Sequence, residues 1–263
     1  MRLTRDQAIV LASLGAITFL AWMYLTGMAR EMADMANMVG LPDMDKMAGM
    51  ALVTPYASWA PADIAVAAAM WIAMMAGMML PSAVPMVMVY VAAERGRGGA
   101  PLRHAAAFLA GYAAIWIGFS LAAVQTQWLL LRTGLIGPDM ALAGGYLGGA
   151  LFIAAALYEW SPLKNRCLAL CQSPLGFILG HWRPGLRGAF AMGLTHGLHC
   201  VGCCWVLMLL LFAGGVMNLL WVAALAILVL LQKVLPGARR VSLATGLLML
   251  GAGIAILARA AGA

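Results

Sequence analysis

GAFAMGLTHGLHCVGCCWVLMLLLFAGGVMNLLWVAALAILVLLQ, residues 188–232, contains no Lys, Arg, Asp or Glu. A bilayer crossing takes roughly 17–25 apolar residues, so the run is too long for one span. The Gly214-Gly215 pair supplies a turn signal, which predicts two helices separated there. Within the first of them lies THGLHCVGCCW, residues 195–205, which brings His196, His199, Cys200, Cys203 and Cys204 into a membrane-type segment. Ionisable and thiol side chains at such depth are expensive and mark a functional site by default.

Working outward, the rest of the chain follows the same pattern. Of 263 residues, 65% are hydrophobic and only 10% are charged, a balance far outside that of soluble domains. Uncharged runs at residues 7–28, 64–93, 105–131, 140–158 and 241–258 join the two already found. The fold class predicted is all-α: a polytopic transmembrane helix bundle of about seven spans, one membrane domain over residues 1–263. The first segment is too long for a signal-peptide core and is expected to remain as an anchor.

The net charge of +7 would suit a nucleic-acid binder, but the positive-inside rule accounts for most of it. With the N-terminus cytoplasmic, alternating spans put Arg2 and Arg5 and the loops at 94–104, 159–187 and 233–240 on one side. Those segments hold 12 of the 16 Lys and Arg residues. The insert at 29–63 and the turn at Asp139 then face outward, with six of the nine acidic residues. These features predict a multi-pass protein of a bacterial inner membrane whose partner is the lipid bilayer, with no nucleic acid. Five cysteines without an extracellular framework point to metal or redox chemistry rather than structural disulfides.

At helical spacing His196, His199, Cys200 and Cys203 share one face, with Cys204 beside Cys200 one turn on. Thiolate and imidazole suit Cu(I) or Zn(II). Methionine weights that choice toward copper, because thioethers select Cu(I) over hard cations. Of 21 Met residues, one group lies in the outward insert and its approach, where MAREMADMANM (residues 28–38) lines Met along a short helix, with Met44, Met47 and Met50 beyond. The other lies in residues 64–93, where Met70, Met74 and Met78 form one stripe and Met75 and Met79 another, with Met86 and Met88 further on. Buried Met also packs well in any core, the milder reading for this second group. Pro81 and Pro85 are expected to kink or unwind that helix.

In the 159–187 loop, Cys167 and Cys171 stand four residues apart, so a short helix puts both sulfurs on one face. Arg166 and Lys164 beside them are expected to favour thiolate. This dithiol reads as an exchange point for a soft metal or as a redox pair. Residues 175–182 are too short to span and should lie at the interface or dip inward. His181, beside Trp182 and Arg183, reads as an interfacial anchor, and His104 as a surface residue. Gly144, Gly145, Gly148 and Gly149 offer a small-residue face for close helix packing.

MAGMMLPSAVPM (75–86), CLALCQSPLGF (167–177) and GLTHGLHCVGCCWVLMLLLFAGGVMNL (193–219) together resemble an uncharacterised bacterial family of predicted metal-binding integral membrane proteins. The likeness covers roughly residues 61–257, and its HGxxCxGCCW segment is specific. It implies metal binding through His196, Cys200, Cys203 and Cys204, and through Met78, Met79 and Met86. The candidate metal ligands are therefore His196, His199, Cys200, Cys203, Cys204, Met74, Met78, Met79, Met86, Cys167 and Cys171.

The function expected is Cu(I) handling, with zinc as second choice: copper transfer, transport or cuproenzyme assembly, exchanging with a periplasmic metallochaperone or cuproenzyme. One alternative is a membrane thiol-disulfide oxidoreductase in which Cys200/Cys203 or Cys167/Cys171 cycle. Another is an accessory subunit of a larger membrane complex with a structural metal. No carboxylate pair, nucleophile–base pair or phosphate loop lies in the membrane segments, which argues against hydrolytic catalysis.

Overall fold

The computed structural model describes residues 4–38, 59–137, 141, 142, 144–235 and 237–262. Its helices are α1 (Arg5–Met38), α2 (Pro61–Gly96), α3 (Pro101–Arg132), α4 (Gly145–Glu159), α5 (Pro162–Gln172), α6 (Pro174–His181), α7 (Gly185–Leu209), α8 (Leu211–Gly214), α9 (Leu219–Val234) and α10 (Ala238–Gly262). Five segments are long and apolar enough to cross a membrane: Arg5–Glu31, Pro61–Gly96, Pro101–Arg132, Gly185–Gly214 and Arg239–Gly262. The two others expected to span, α4 and α9, are apolar but have only 15 and 16 residues. At about 1.5 Å per residue neither reaches the roughly 30 Å of a hydrocarbon core.

Helix ends fall where local chemistry puts them. Proline, preset for the first helical turn, begins α2, α3, α5 and α6. The Ser161 side chain accepts from Lys164 N at 3.1 Å and caps α5, and Asn218 caps α9 by accepting from Trp221 N at 3.1 Å. Between α8 and α9, Gly215 takes φ 86°, a conformation open to glycine, so the turn forms where Gly214-Gly215 predicted it. Pro81 and Pro85 do not unwind their helix: α2 runs unbroken through both.

Large apolar side chains point outward, among them Leu220, Leu248 and Leu179 at 85, 76 and 70% exposure. Such a surface suits lipid and not water. Inside, α7 packs along α3, α4 along α10, and α2 against both α1 and α3. Small residues allow these approaches. A Cβ on Gly193 would collide with the Phe108 carbonyl, and one on Gly111 with the Phe190 carbonyl, so the α3 and α7 backbones are in direct contact. Across α4 and α10, Gly145 and Gly149 fill the role expected of them, whereas Gly144 and Gly148 face open space. Gly193→Ala is therefore expected to cost about 1–3 kcal/mol or more by forcing α3 and α7 apart. Thermal aggregation in detergent checks this, with Gly148→Ala as a variant that should match wild type.

Candidate metal centre

Helix α7 carries Cys200, Cys203 and Cys204 into one buried cluster with Met70, Met74, Met75, Met78 and Met79 of α2, against which Cys167 and Cys171 of α5 pack. The three α7 thiols are at most 2% exposed. Three thiols of the sequence stripe thus share one core with the methionines of α2. Met86 lies apart from them, in a second core with Met192, Tyr90 and Phe177.

At the centre of the sulfur cluster stands a residue that sequence reasoning left in a loop. Lys233, in the last turn of α9, is buried. Its Nζ donates to Cys200 Sγ at 2.8 Å, to Ser82 Oγ at 3.2 Å and to Met79 Sδ at 3.9 Å. An ammonium in an apolar interior requires partners of this kind, because burial of an unpaired charge costs several kcal/mol. Tyr112 of α3 closes the other side. Its hydroxyl donates to Met79 O at 3.2 Å and lies 3.1 Å from Cys200 Sγ. Cys203 and Cys204 turn back on their own helix, each thiol donating to Cys200 O, at 3.1 and 3.0 Å.

Helix α5 presents the dithiol to this cluster. Cys171 packs against the core that holds Cys203, and Cys167 Sγ lies 2.8 Å from the place a Cβ on Gly202 would take. The glycine of GCCW is thus needed for α5 to approach. The charge environment is the reverse of that expected. Burial, then the neighbouring Cys203, pushes the Cys167 thiol up, and Cys171 is pushed up by its neighbour Cys203 and by burial. Lys164 does not assist either thiol, because its buried Nζ is held by Glu159 and, at 2.9 Å, by Gln232 Oε1. Gln232 Nε2 donates in turn to Glu159 Oε2 at 3.0 Å. Glu159, Lys164 and Gln232 are all buried, a closed network where a cytoplasmic loop and a helix end were expected.

The histidines divide. His196 is buried among Tyr112, Phe108 and Phe177, with ring centroids at 5.5, 5.9 and 5.5 Å, and its Nδ1 has no partner. His199, half-buried, hydrogen-bonds Thr195 O through Nδ1 at 2.7 Å and lies at the edge of the stripe, next to Phe177 and His181. Phe177 and Ile178 of α6 are buried while Leu175 and Leu179 are exposed, so one face of the segment after Pro174 packs onto the fold. His104 is no free surface residue either: its Nδ1 meets the buried Glu94 carboxylate at 2.7 Å. Among the described residues, no group of three or more His, Cys, Asp or Glu is arranged to hold a metal ion as it stands. The sulfurs of Cys200 and Met79 are instead gathered on an ammonium. Met44, Met47 and Met50 of the insert lie outside the described residues, while its first ten residues continue α1 as helix.

Comparison with known proteins places this geometry in a metal-related context. The model of the PpoB2 copper chaperone family matches residues 68–256, well over half of the chain and close to the stretch over which the sequence resembles metal-binding membrane proteins. The match runs from within α2 into α10 and does not single out the HGxxCxGCCW segment. No curated protein and no solved structure matches the chain. By that family match the chain belongs to the PpoB2 copper chaperone family.

Proposed function

From this membership in a copper chaperone family, we propose that the chain binds Cu(I) inside the membrane at the sulfur cluster and passes it to a cuproenzyme or metallochaperone. The observation that carries this reading is that Cys200 Sγ and Met79 Sδ both point at one buried monovalent cation, the Lys233 ammonium. A pocket of soft donors around a single positive charge fits Cu(I), which thiolate and thioether prefer to bind and hard cations do not satisfy. Lys233 keeps the place of the ion, and Cu(I) displaces it. Cys203, Cys204, Met74 and Met78 supply further sulfur within the same cluster. Cys167 and Cys171 form the exchange point, and His196, with its unpartnered Nδ1, is an additional donor. With the N-terminus on the cytoplasmic side of a bacterial inner membrane, the crossing of α1 would put the Met-rich insert outside as the collecting or delivering end.

A reduced, purified full-length chain titrated with Cu(I) against a chromophoric Cu(I) chelator is expected to take up copper, with an X-ray absorption spectrum dominated by sulfur. Failure to compete for copper, or a spectrum without sulfur, would remove the proposal. A second reading, thiol–disulfide exchange, draws on the proximity of Cys171 to Cys203. Reversible pairing of those two cysteines under oxidant, followed by alkylation and mass spectrometry, would favour it.

A further inference from the structure

His181 and His199 come from different helices and meet beside Phe177, although neither sequence spacing nor the flanking residues link them. His181 ends α6, the short helix after Pro174, and His199 lies on α7 directly before Cys200. In both, the same nitrogen is taken. His181 Nδ1 lies 3.1 Å from Phe177 O, and His199 Nδ1 lies 2.7 Å from Thr195 O. A carbonyl oxygen only accepts, so Nδ1 carries the proton in each ring and the lone pair is left on Nε2. That arrangement, one ring nitrogen donating to a backbone carbonyl and the other left as a base, is the one metal-ligating histidines adopt.

The separation fits as well. The ring centroids are 6.3 Å apart, with the planes at 68°. A metal held in line between two imidazole nitrogens places the ring centroids about 6 Å apart, given metal–nitrogen bonds of about 2 Å. Two nitrogens in line satisfy Cu(I), whereas Zn(II) asks for four ligands. Phe177 fixes the pair, stacking on His181 at 4.8 Å and meeting His199 edge-on at 6.3 Å. Both histidines are half-buried, so an ion can reach them without passing through the sulfur core.

We infer that His181 and His199 form a second, nitrogen-based Cu(I) site, built against Phe177 and separate from the sulfur cluster. The identity of the ion rests on the copper reading above; the pairing of the two rings does not.

The test loads the reduced full-length chain with one and then two equivalents of Cu(I) and reads the nitrogen and sulfur shells by X-ray absorption. The first equivalent is expected on sulfur and the second on two nitrogens. His199→Ala and His181→Phe, the latter keeping a ring against Phe177, should each lose the second equivalent and retain the first. Cys200→Ser with Cys203→Ser should lose the first and retain the second. Persistence of the nitrogen-bound copper in both histidine variants overturns the pair, as does loss of both equivalents in His181→Phe, which would place these rings inside the sulfur site. Failure of the copper-cluster reading looks different: wild type then shows no sulfur-bound copper at any loading.

Discussion

Joint replacement of Cys200 and Cys203 by serine is expected to lower Cu(I) affinity at least about a thousandfold, equivalent to about 4 kcal/mol. The expectation follows from which atoms the cluster brings together. Cys200 Sγ receives the Lys233 ammonium and faces the Tyr112 hydroxyl, while Cys203 neighbours Cys171 of α5. Serine conserves shape and hydrogen bonding but exchanges a soft sulfur for a hard oxygen, which Cu(I) binds poorly. Folding should survive, because Lys233 and Tyr112 can each meet a hydroxyl. Met86→Leu provides the contrast: it lies in the other core and should leave affinity unchanged, whereas Met79→Leu, which removes a thioether beside Lys233, should fall between. Competition titration of the three variants against one chelator measures the order. Equal affinity for wild type and the double cysteine variant would dismiss the sulfur cluster as the site.

How much of this was legible in the sequence depends on the kind of signal. Hydrophobic runs and Gly214-Gly215 located the helices, because crossing length and turn chemistry are local properties. The shared face of Cys200, Cys203 and Cys204 was legible for the same reason: α7 is regular, so spacing alone places them. Lys233 was not. A lysine at the end of an apolar run is ordinarily a cytoplasmic anchor, and only the packing of α9 against α2 and α7 turns it inward. Glu159 and Lys164 were misplaced likewise, since a charge in a connector reads as solvated until a partner from another helix, here Gln232, is seen to enclose it. The His181 and His199 pair needs α6 to pack onto the fold, and its sequence showed only that the segment was too short to span. Met86 enters the ligand set with Met78 and Met79 through the family resemblance of residues 75–86. The break between two cores along that helix is a tertiary fact, which helical periodicity does not carry.

Glu159→Leu is expected to destabilise the fold by about 3–5 kcal/mol, since it leaves the Lys164 ammonium buried with one amide oxygen for company. Lys164→Met should cost a similar amount by stranding the carboxylate. The double variant, Glu159→Leu with Lys164→Met, should recover most of the loss, because two apolar side chains replace two buried charges and neither is left unpaired. The loss should also be felt at the thiols. Lys164 stands in the first turn of α5, the helix that carries Cys167 and Cys171, and Gln172 at its other end donates to Gln232 O at 2.7 Å. Gln232 directly precedes Lys233, so the same network fixes α5 and the turn of α9 that delivers the ammonium to Cys200. Thermal aggregation in detergent measures the stability term, and the rate at which Cys167 and Cys171 are alkylated in membranes measures the loosening of α5. If the single variants unfold at the wild-type temperature with unchanged alkylation, the network does not hold the dithiol against the sulfur cluster, and α5 must be secured by its apolar packing alone.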